Sequence, residues 1–189
     1  QREAAGKTLN FHKSSPDVQV GLMESRKKEW DKWKQFNAAK IVSGAELQEL
    51  LQEGHAALPM QWIETDKNAH KRVPGVVVEP LYKSRLVARG DLEDTNLRSD
   101  SPTCDVEGQN LIFSFAACHG LRIRSADITN AYFQGQEQDR ILLFKQPPGG
   151  LPDPELPADA HLPARVPIYG TRDAGRGFWK ALRNSLTES

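Results

Sequence analysis

Between Met60 and Gly90 the chain carries two runs of β character. "MQWIETD" alternates apolar and polar residues, and "VVVEPLYKSRLVARG" is rich in Val, Leu and Tyr. The intervening "KNAHKRVPG" has the composition of a turn, so the pair reads as a β-hairpin. On both sides the apolar period lengthens to that of a helix. Alternation exposes one face of a strand and buries the other, and no helix can satisfy it. A hairpin set between helical segments therefore restricts the chain to an α+β layout.

The helical segments have recognisable limits. In "LMESRKKEWDKWKQFNAA", Leu22 to Ala39, the residues Leu22, Trp30, Trp33 and Phe36 fall near helical spacing. Trp30 and Trp33 could stack on nucleobases, but the simpler role is the buried stripe of an amphipathic helix. A second helix is expected over Ser43–Glu53, with Ser43 and Glu46 spaced as a capping box and Gly54 as the stop. In "SPTCDVEGQNLIFSFAACHG", Leu111, Ile112, Phe115 and Ala116 share a helical face, Gly120 ends the helix, and Gly108 is expected to delay its start. "LRIRSADI" then predicts a strand with Leu121, Ile123, Ser125 and Asp127 on one face. "RILLFKQPPGG" predicts another, stopped by Pro147-Pro148-Gly149-Gly150. The connector "LPDPELPADAHLPAR" is too rich in proline for regular structure, and a final helix is expected from near Gly175. Residues 1–20 are polar and read as a mobile tail, and residues 21–57 as a helical segment.

Composition narrows the function classes. The chain of 189 residues is 38% hydrophobic, enough for a core. It contains no apolar run approaching the ~20 residues that cross a bilayer, so a soluble, intracellular protein, cytoplasmic or nuclear, with no membrane partner is expected. Cys104 and Cys118 are the only cysteines and have no Cys-x-x-Cys partner. They are expected as reduced thiols in or near the core, which argues against zinc. The five histidines are scattered, and none accompanies a recognisable Ser or Cys nucleophile.

The net charge is zero, yet charge is segregated: residues 66–90 carry +4, 91–107 carry −5 and 165–183 carry +4. Position rather than total sets polyanion binding, so two basic segments are candidates for nucleic-acid contact; solvated loops of alternating sign are the plainer alternative.

One stretch poses a chemical question. In "SADITNAYFQG" a carboxylate, Asp127, closes a strand-like run and is followed by small polar residues and two adjacent rings. A carboxylate at a strand end can hold a hard divalent cation beside a phosphate, although isolated aspartates in such places are common.

Four ordered motifs resolve it. "YKSRLVARG", "SPTCDVEGQNLIFSFAACHGLRIRSADITNAYFQG", "LLFKQPPGG" and "IYGTRDAGRGFW" resemble, in the same order, the reverse transcriptase of copia-type LTR retrotransposon Pol polyproteins. The resemblance covers residues from about 58 to the C-terminus and is poor over the first 57. It implies a partial right-hand polymerase fold, the fingers and the first part of the palm, with an antiparallel sheet and packed helices over residues 58–189. The implied activity is RNA-directed DNA polymerisation, the two-metal transfer of a dNTP onto a primer 3′-hydroxyl.

The resemblance also implies roles. Asp127 would be the first catalytic aspartate, with the Ile128 carbonyl in the shell of Mg²⁺ (or Mn²⁺). Backbone amides near Asn130 and Ala131 would face the triphosphate. Tyr132 would lie under the deoxyribose and exclude a 2′-hydroxyl by clash, while Phe133 is expected in the core. Lys83 and Arg85, two apart on a strand and so on one face, would meet the nucleotide phosphates. Tyr169, Gly170 and Arg172 would lie near the sugar and template base. Implied partners are an RNA or DNA template-primer, dNTP, and the remainder of the Pol polyprotein: the rest of the palm, the thumb and ribonuclease H.

This sequence departs from the family pattern at Gly175, where Pro is usual, at Asp173-Ala174 for Gln-Ala, at Asp105 for Arg, and at Tyr132 for Phe. The chain also stops before the Tyr-x-Asp-Asp hairpin, so it is expected to be inactive alone. A non-catalytic nucleic-acid-binding or scaffolding remnant of a retroelement is the alternative.

Overall fold

The computed structural model describes residues 8–93, 99–137 and 140–188. Five strands and four α-helices are assigned among them: β1 (Thr8–Leu9), α1 (Pro16–Gln35), α2 (Gly44–Gln52), β2 (Ala57–Asp66), β3 (Tyr82–Ala88), α3 (Val106–Cys118), β4 (Leu143–Lys145), β5 (His161–Pro163) and α4 (Ala174–Thr187).

The expected hairpin is present. β2 and β3 pair antiparallel from Met60↔Ala88 to Asp66↔Tyr82. Alternation buries Met60, Glu64 and Asp66 of β2 with Ser84, Leu86 and Ala88 of β3, and leaves Ile63, Thr65, Lys83 and Arg85 on the open face. Asp66 closes the connection between the strands: its carboxylate accepts from the N–H groups of Asn68 at 2.9 Å and Leu81 at 3.0 Å, and from Arg72.

The sheet is mixed, which corrects the expected antiparallel arrangement. β2 runs parallel to β4 through Ala57↔Leu143 and antiparallel to β1 and β3, and β4 is antiparallel to β5. The length of β2 explains this: its first three residues pair with β4 and the remainder with β3. β5 also lies inside the connector that was expected to lack regular structure. A three-residue edge strand tolerates Pro163, whose carbonyl accepts from the Lys40 N–H at 2.9 Å.

α1 covers the buried face of the hairpin. Pro16 occupies its first turn, and Leu22, Arg26, Glu29, Trp30 and Trp33 form the buried stripe. The tryptophans therefore pack rather than present their faces to bases. With Phe133, Leu86, Phe144 and Ile168 they build the main core. Arg26 is buried with them, its Nε 2.7 Å from Glu64 Oε1 and its guanidinium between the rings of Phe11 and Trp62. Residues 8–20, expected within a mobile tail, carry β1 and the first turns of α1, because β1 finds a partner in Thr65 and Glu64.

Other local expectations divide. α2 begins after Ser43, but the Ser43 hydroxyl makes no cap bond; Asp159 Oδ2 accepts from the Gly44 N–H at 3.1 Å, and Glu46 pairs with Lys40. Gly54 ends the helix at φ 88°. α3 starts before Gly108, since Asp105 caps it by accepting from the Gly108 N–H at 2.7 Å. Its apolar face is not in the core: Leu111 and Phe115 are exposed and only Ala116 is buried. Cys104 and Cys118 are free thiols, as expected, but exposed.

The strand expected at 121–128 is absent. These residues are exposed and carry no assigned structure. A strand needs a neighbour for its backbone N–H and C=O groups, and no described residue pairs with this segment. No helix among the described residues is long and apolar enough to cross a membrane.

Candidate nucleotide and nucleic-acid site

The open face of the hairpin is basic because of its register. Thr65 faces Lys83 and Ile63 faces Arg85 across the strands, and with Lys67 they line a groove of about 380 Å³. Burial lowers the pKa of Lys83, and the neighbouring charges of Lys32 and Lys67 lower it further.

Arg85 leads from this groove to a ring cluster. Its guanidinium carbon lies 5.5 Å from the centre of the Tyr169 ring, within cation–π range. The Tyr169 ring is 4.9 Å from that of Tyr132, which also meets Phe178 of α4 at 6.5 Å. Burial pushes the Tyr169 hydroxyl pKa up. Phe133 is buried against Trp33 at 5.6 Å and Phe36 at 5.8 Å, as expected for a core ring, and its ring also meets that of Tyr169 at 5.6 Å.

A tight turn carries both rings. Asn130 sits in the left-handed region, at φ 53° and ψ 40°, and opens the 3-10 turn Ala131–Gln134. Asn and Asp tolerate that conformation better than other non-glycine residues. The turn is fastened by the Phe133 N–H to the Asn130 carbonyl at 2.9 Å and by Gln134 Nε2 to the Thr129 carbonyl at 2.7 Å.

Tyr169 is placed by a close backbone approach. The Ala88 N–H donates to the Tyr169 carbonyl at 2.8 Å. Gly170, at φ 92°, lies so near β3 that a Cβ there would stand 2.2 Å from the Ala88 carbonyl oxygen. Arg172 donates its backbone N–H to Glu93 and its Nε to the Gly90 carbonyl, each at 3.3 Å.

A charged cluster that sequence reasoning missed holds this loop. Glu93 is buried and paired with Arg140, whose other guanidinium nitrogens reach Asp173 at 2.9 and 3.1 Å. Burial opposes the charge on Arg140, but the carboxylates of Asp173 and Glu93 outweigh it and raise its pKa. The only sequence signal was Asp173, already a departure from the family pattern; Glu93 and Arg140 lie too far apart in the chain to suggest pairing.

Of the expected site residues, Arg85, Tyr132 and Tyr169 thus form one line of contacts, with Lys83 beside it and Gly170 and Arg172 beneath. Asn130 and Ala131 are half-buried in the turn that carries Tyr132. Asp127 and Ile128 lie on the exposed 121–128 segment, and no described residue hydrogen-bonds to the Asp127 carboxylate. Among the described residues no group of three or more His, Cys, Asp or Glu side chains could hold a metal ion.

Comparisons with known proteins agree with the motifs. Residues 47–189 match the family model described as reverse transcriptase (RNA-dependent DNA polymerase). Two Arabidopsis thaliana proteins, the retrovirus-related Pol polyproteins from transposons RE2 and RE1, are each 32% identical over 108 residues, or 56% of this chain. The matched part spans 7% of the length of either relative. No solved structure matches significantly. With the ordered motifs and a family match over most of its length, the chain belongs to the reverse transcriptase family, as a domain of the copia-like retrotransposon kind.

Proposed function

We propose that this chain forms the fingers and the beginning of the palm of a right-hand RNA-directed DNA polymerase. The observation that carries the reading is the line Arg85–Tyr169–Tyr132 beside the basic groove, because residues from three separate motifs meet there. Lys83 and Arg85 bind the triphosphate of a dNTP, with Arg85 offering a fork of donors to phosphate oxygens. The amides of the turn at Asn130 and Ala131 face the same phosphates. Tyr132 lies beneath the deoxyribose and excludes a 2′-hydroxyl, and Tyr169 and Gly170 border the sugar and template base. Arg172, whose guanidinium donates to Gly90, shapes that border through the backbone.

The described residues fit the family's metal requirement only in part. Asp127 and the Ile128 carbonyl can supply oxygen ligands to Mg²⁺ or Mn²⁺, but one carboxylate does not make a two-metal site. The missing carboxylates would come from the rest of the Pol polyprotein, which we propose as the partner along with template-primer. The isolated chain is accordingly inactive in nucleotidyl transfer.

The isolation of Asp127 favours a second reading, a non-catalytic nucleic-acid-binding or scaffolding remnant. Titration of the chain with dNTP and with a primed duplex separates the two. Lys83→Ala with Arg85→Ala weakens dNTP binding more than duplex binding if the hairpin is a nucleotide-capturing finger. Equal loss of both, or of neither, favours the remnant.

A further inference from the structure

Arg140 belongs to none of the four motifs, yet its guanidinium joins two segments that border the ring cluster. It stands just before β4. Its Nη1 meets Glu93, which follows the turn at the end of β3, while Nε and Nη2 reach Asp173, beside the start of α4, at 3.1 and 2.9 Å. A planar fork of donors holds two carboxylates in a fixed relation, which a point charge on a flexible stem does not. Asp173 is itself a departure from the family pattern, so this clamp is a feature of the present chain rather than of the motif.

Glu93 passes the constraint towards Tyr169. It accepts from the Arg172 N–H at 3.3 Å, and Arg172 Nε donates to the Gly90 carbonyl. Between Arg172 and Tyr169 the loop meets the end of β3 backbone to backbone. A Cβ on Gly90 would stand 2.1 Å from the Gly170 carbonyl oxygen, and one on Gly170 would stand 2.2 Å from that of Ala88. Neither glycine has a side chain to interlock the segments, so hydrogen bonds and charge must set how they lie. The Ala88 N–H fastens the loop at the Tyr169 carbonyl, and Arg140 fastens it at Asp173. The Tyr169 ring, between Arg85 and Tyr132, rides on the piece so held. Without Arg140 the buried Glu93 carboxylate would lose a paired cation and turn towards water, and the Arg172 N–H would lose its acceptor.

We infer that Arg140 is a positioning residue: through Glu93 and Asp173 it sets where the Tyr169 ring stands against Tyr132 and Arg85, and so how tightly the site holds a dNTP. The inference rests on the nucleotide-site reading proposed above. Arg140 itself touches no nucleotide in this account and acts only through the loop.

The test combines NMR of the whole chain carrying ¹³C-labelled tyrosine with titration of dATP. The three tyrosines report separately: Tyr132 and Tyr169 on the ring pair, and Tyr82, at the far end of β3, on the fold. Arg140→Gln is expected to shift the Tyr132 and Tyr169 ring signals, to leave that of Tyr82 in place, and to weaken dATP binding about five- to tenfold. Arg140→Lys, which keeps the charge but not the fork, should fall between that variant and the wild type on both readouts. Asp173→Asn removes a carboxylate that is not buried, so it strands no buried charge, and it should shift the same two signals to a smaller extent; it carries the comparison if Arg140→Gln fails to fold. Tyr132 and Tyr169 signals that stay in place in the folded variants, or that move only together with Tyr82, would overturn the inference, as would weakened dATP binding with unmoved rings. A wild-type chain that binds no dATP would instead sink the nucleotide-site reading, while the ring signals still decide whether Arg140 positions Tyr169.

Discussion

Tyr132 and Tyr169, 37 positions apart in the chain, hold their rings 4.9 Å apart at an interplanar angle of 58°. The pair joins the 3-10 turn after Asn130 to the loop that Gly170 presses against β3. A ring so placed can act as a wall for a sugar, and it has a second neighbour in Phe178. Tyr132→Val, in the chain fused to the family's remaining palm, thumb and ribonuclease H, should raise NTP incorporation relative to dNTP. A tenfold change corresponds to about 1.4 kcal/mol of differential transition-state binding. Single-nucleotide extension measures the ratio; an unchanged ratio in a protein of lowered Tm would make Tyr132 a packing ring only.

Phe133 should behave differently from its neighbour. It is 3% exposed and touches Trp33, Phe36 and Tyr169. Phe133→Ala should cost about 3–5 kcal/mol of stability, read from urea unfolding of the chain. A cost below about 1 kcal/mol would contradict the core described here.

The balance between legible and hidden features has physical causes. The Trp30–Trp33 stripe, the β2–β3 hairpin and the core place of Phe133 follow local periodicity or adjacent segments, and they were readable. The parallel pairing of β2 with β4 joins residues more than 80 positions apart and leaves no mark in either segment. The same holds for Asp159 capping α2 and for Glu93 with Arg140. The 121–128 segment shows the converse. Its alternation is genuine, but a strand is a property of a pair of segments, and no described residue supplies the other member. In the candidate site, Tyr132, Tyr169 and Arg85 were legible through the motifs, whereas the loop that positions Tyr169 was not.

The buried pair Arg26–Glu64 lies where α1 crosses the hairpin. Removing one partner strands a buried charge, so Glu64→Leu should destabilise the chain by about 3–5 kcal/mol. Adding Arg26→Met should recover much of that loss. A double-mutant cycle by chemical denaturation checks this, and strictly additive effects would contradict a direct pairing.

Asp66 gives the hairpin a pH dependence of known sign. Burial opposes its ionisation, but the N–H groups of Leu81 and Asn68 and the Arg72 guanidinium outweigh that, and its pKa falls below the ordinary 3.8. A carboxylate depressed in the folded state contributes stability above its unfolded pKa and loses it as pH falls through the lower, folded value. Stability should therefore fall on acidification below about pH 4, less steeply in Asp66→Asn. Equal acid sensitivity in both proteins would assign the effect elsewhere.

On the proposed reading, Asp127 belongs to a polymerase centre to which this chain contributes one carboxylate. Incorporation of dNTP on a primed RNA template is the measurement, made on the same fused polymerase with Mg²⁺. Extension by the fusion, none by the isolated chain, and a loss on the order of a thousandfold in Asp127→Asn, equivalent to several kcal/mol of transition-state stabilisation, is the predicted result. Extension that survives Asp127→Asn undiminished would contradict it.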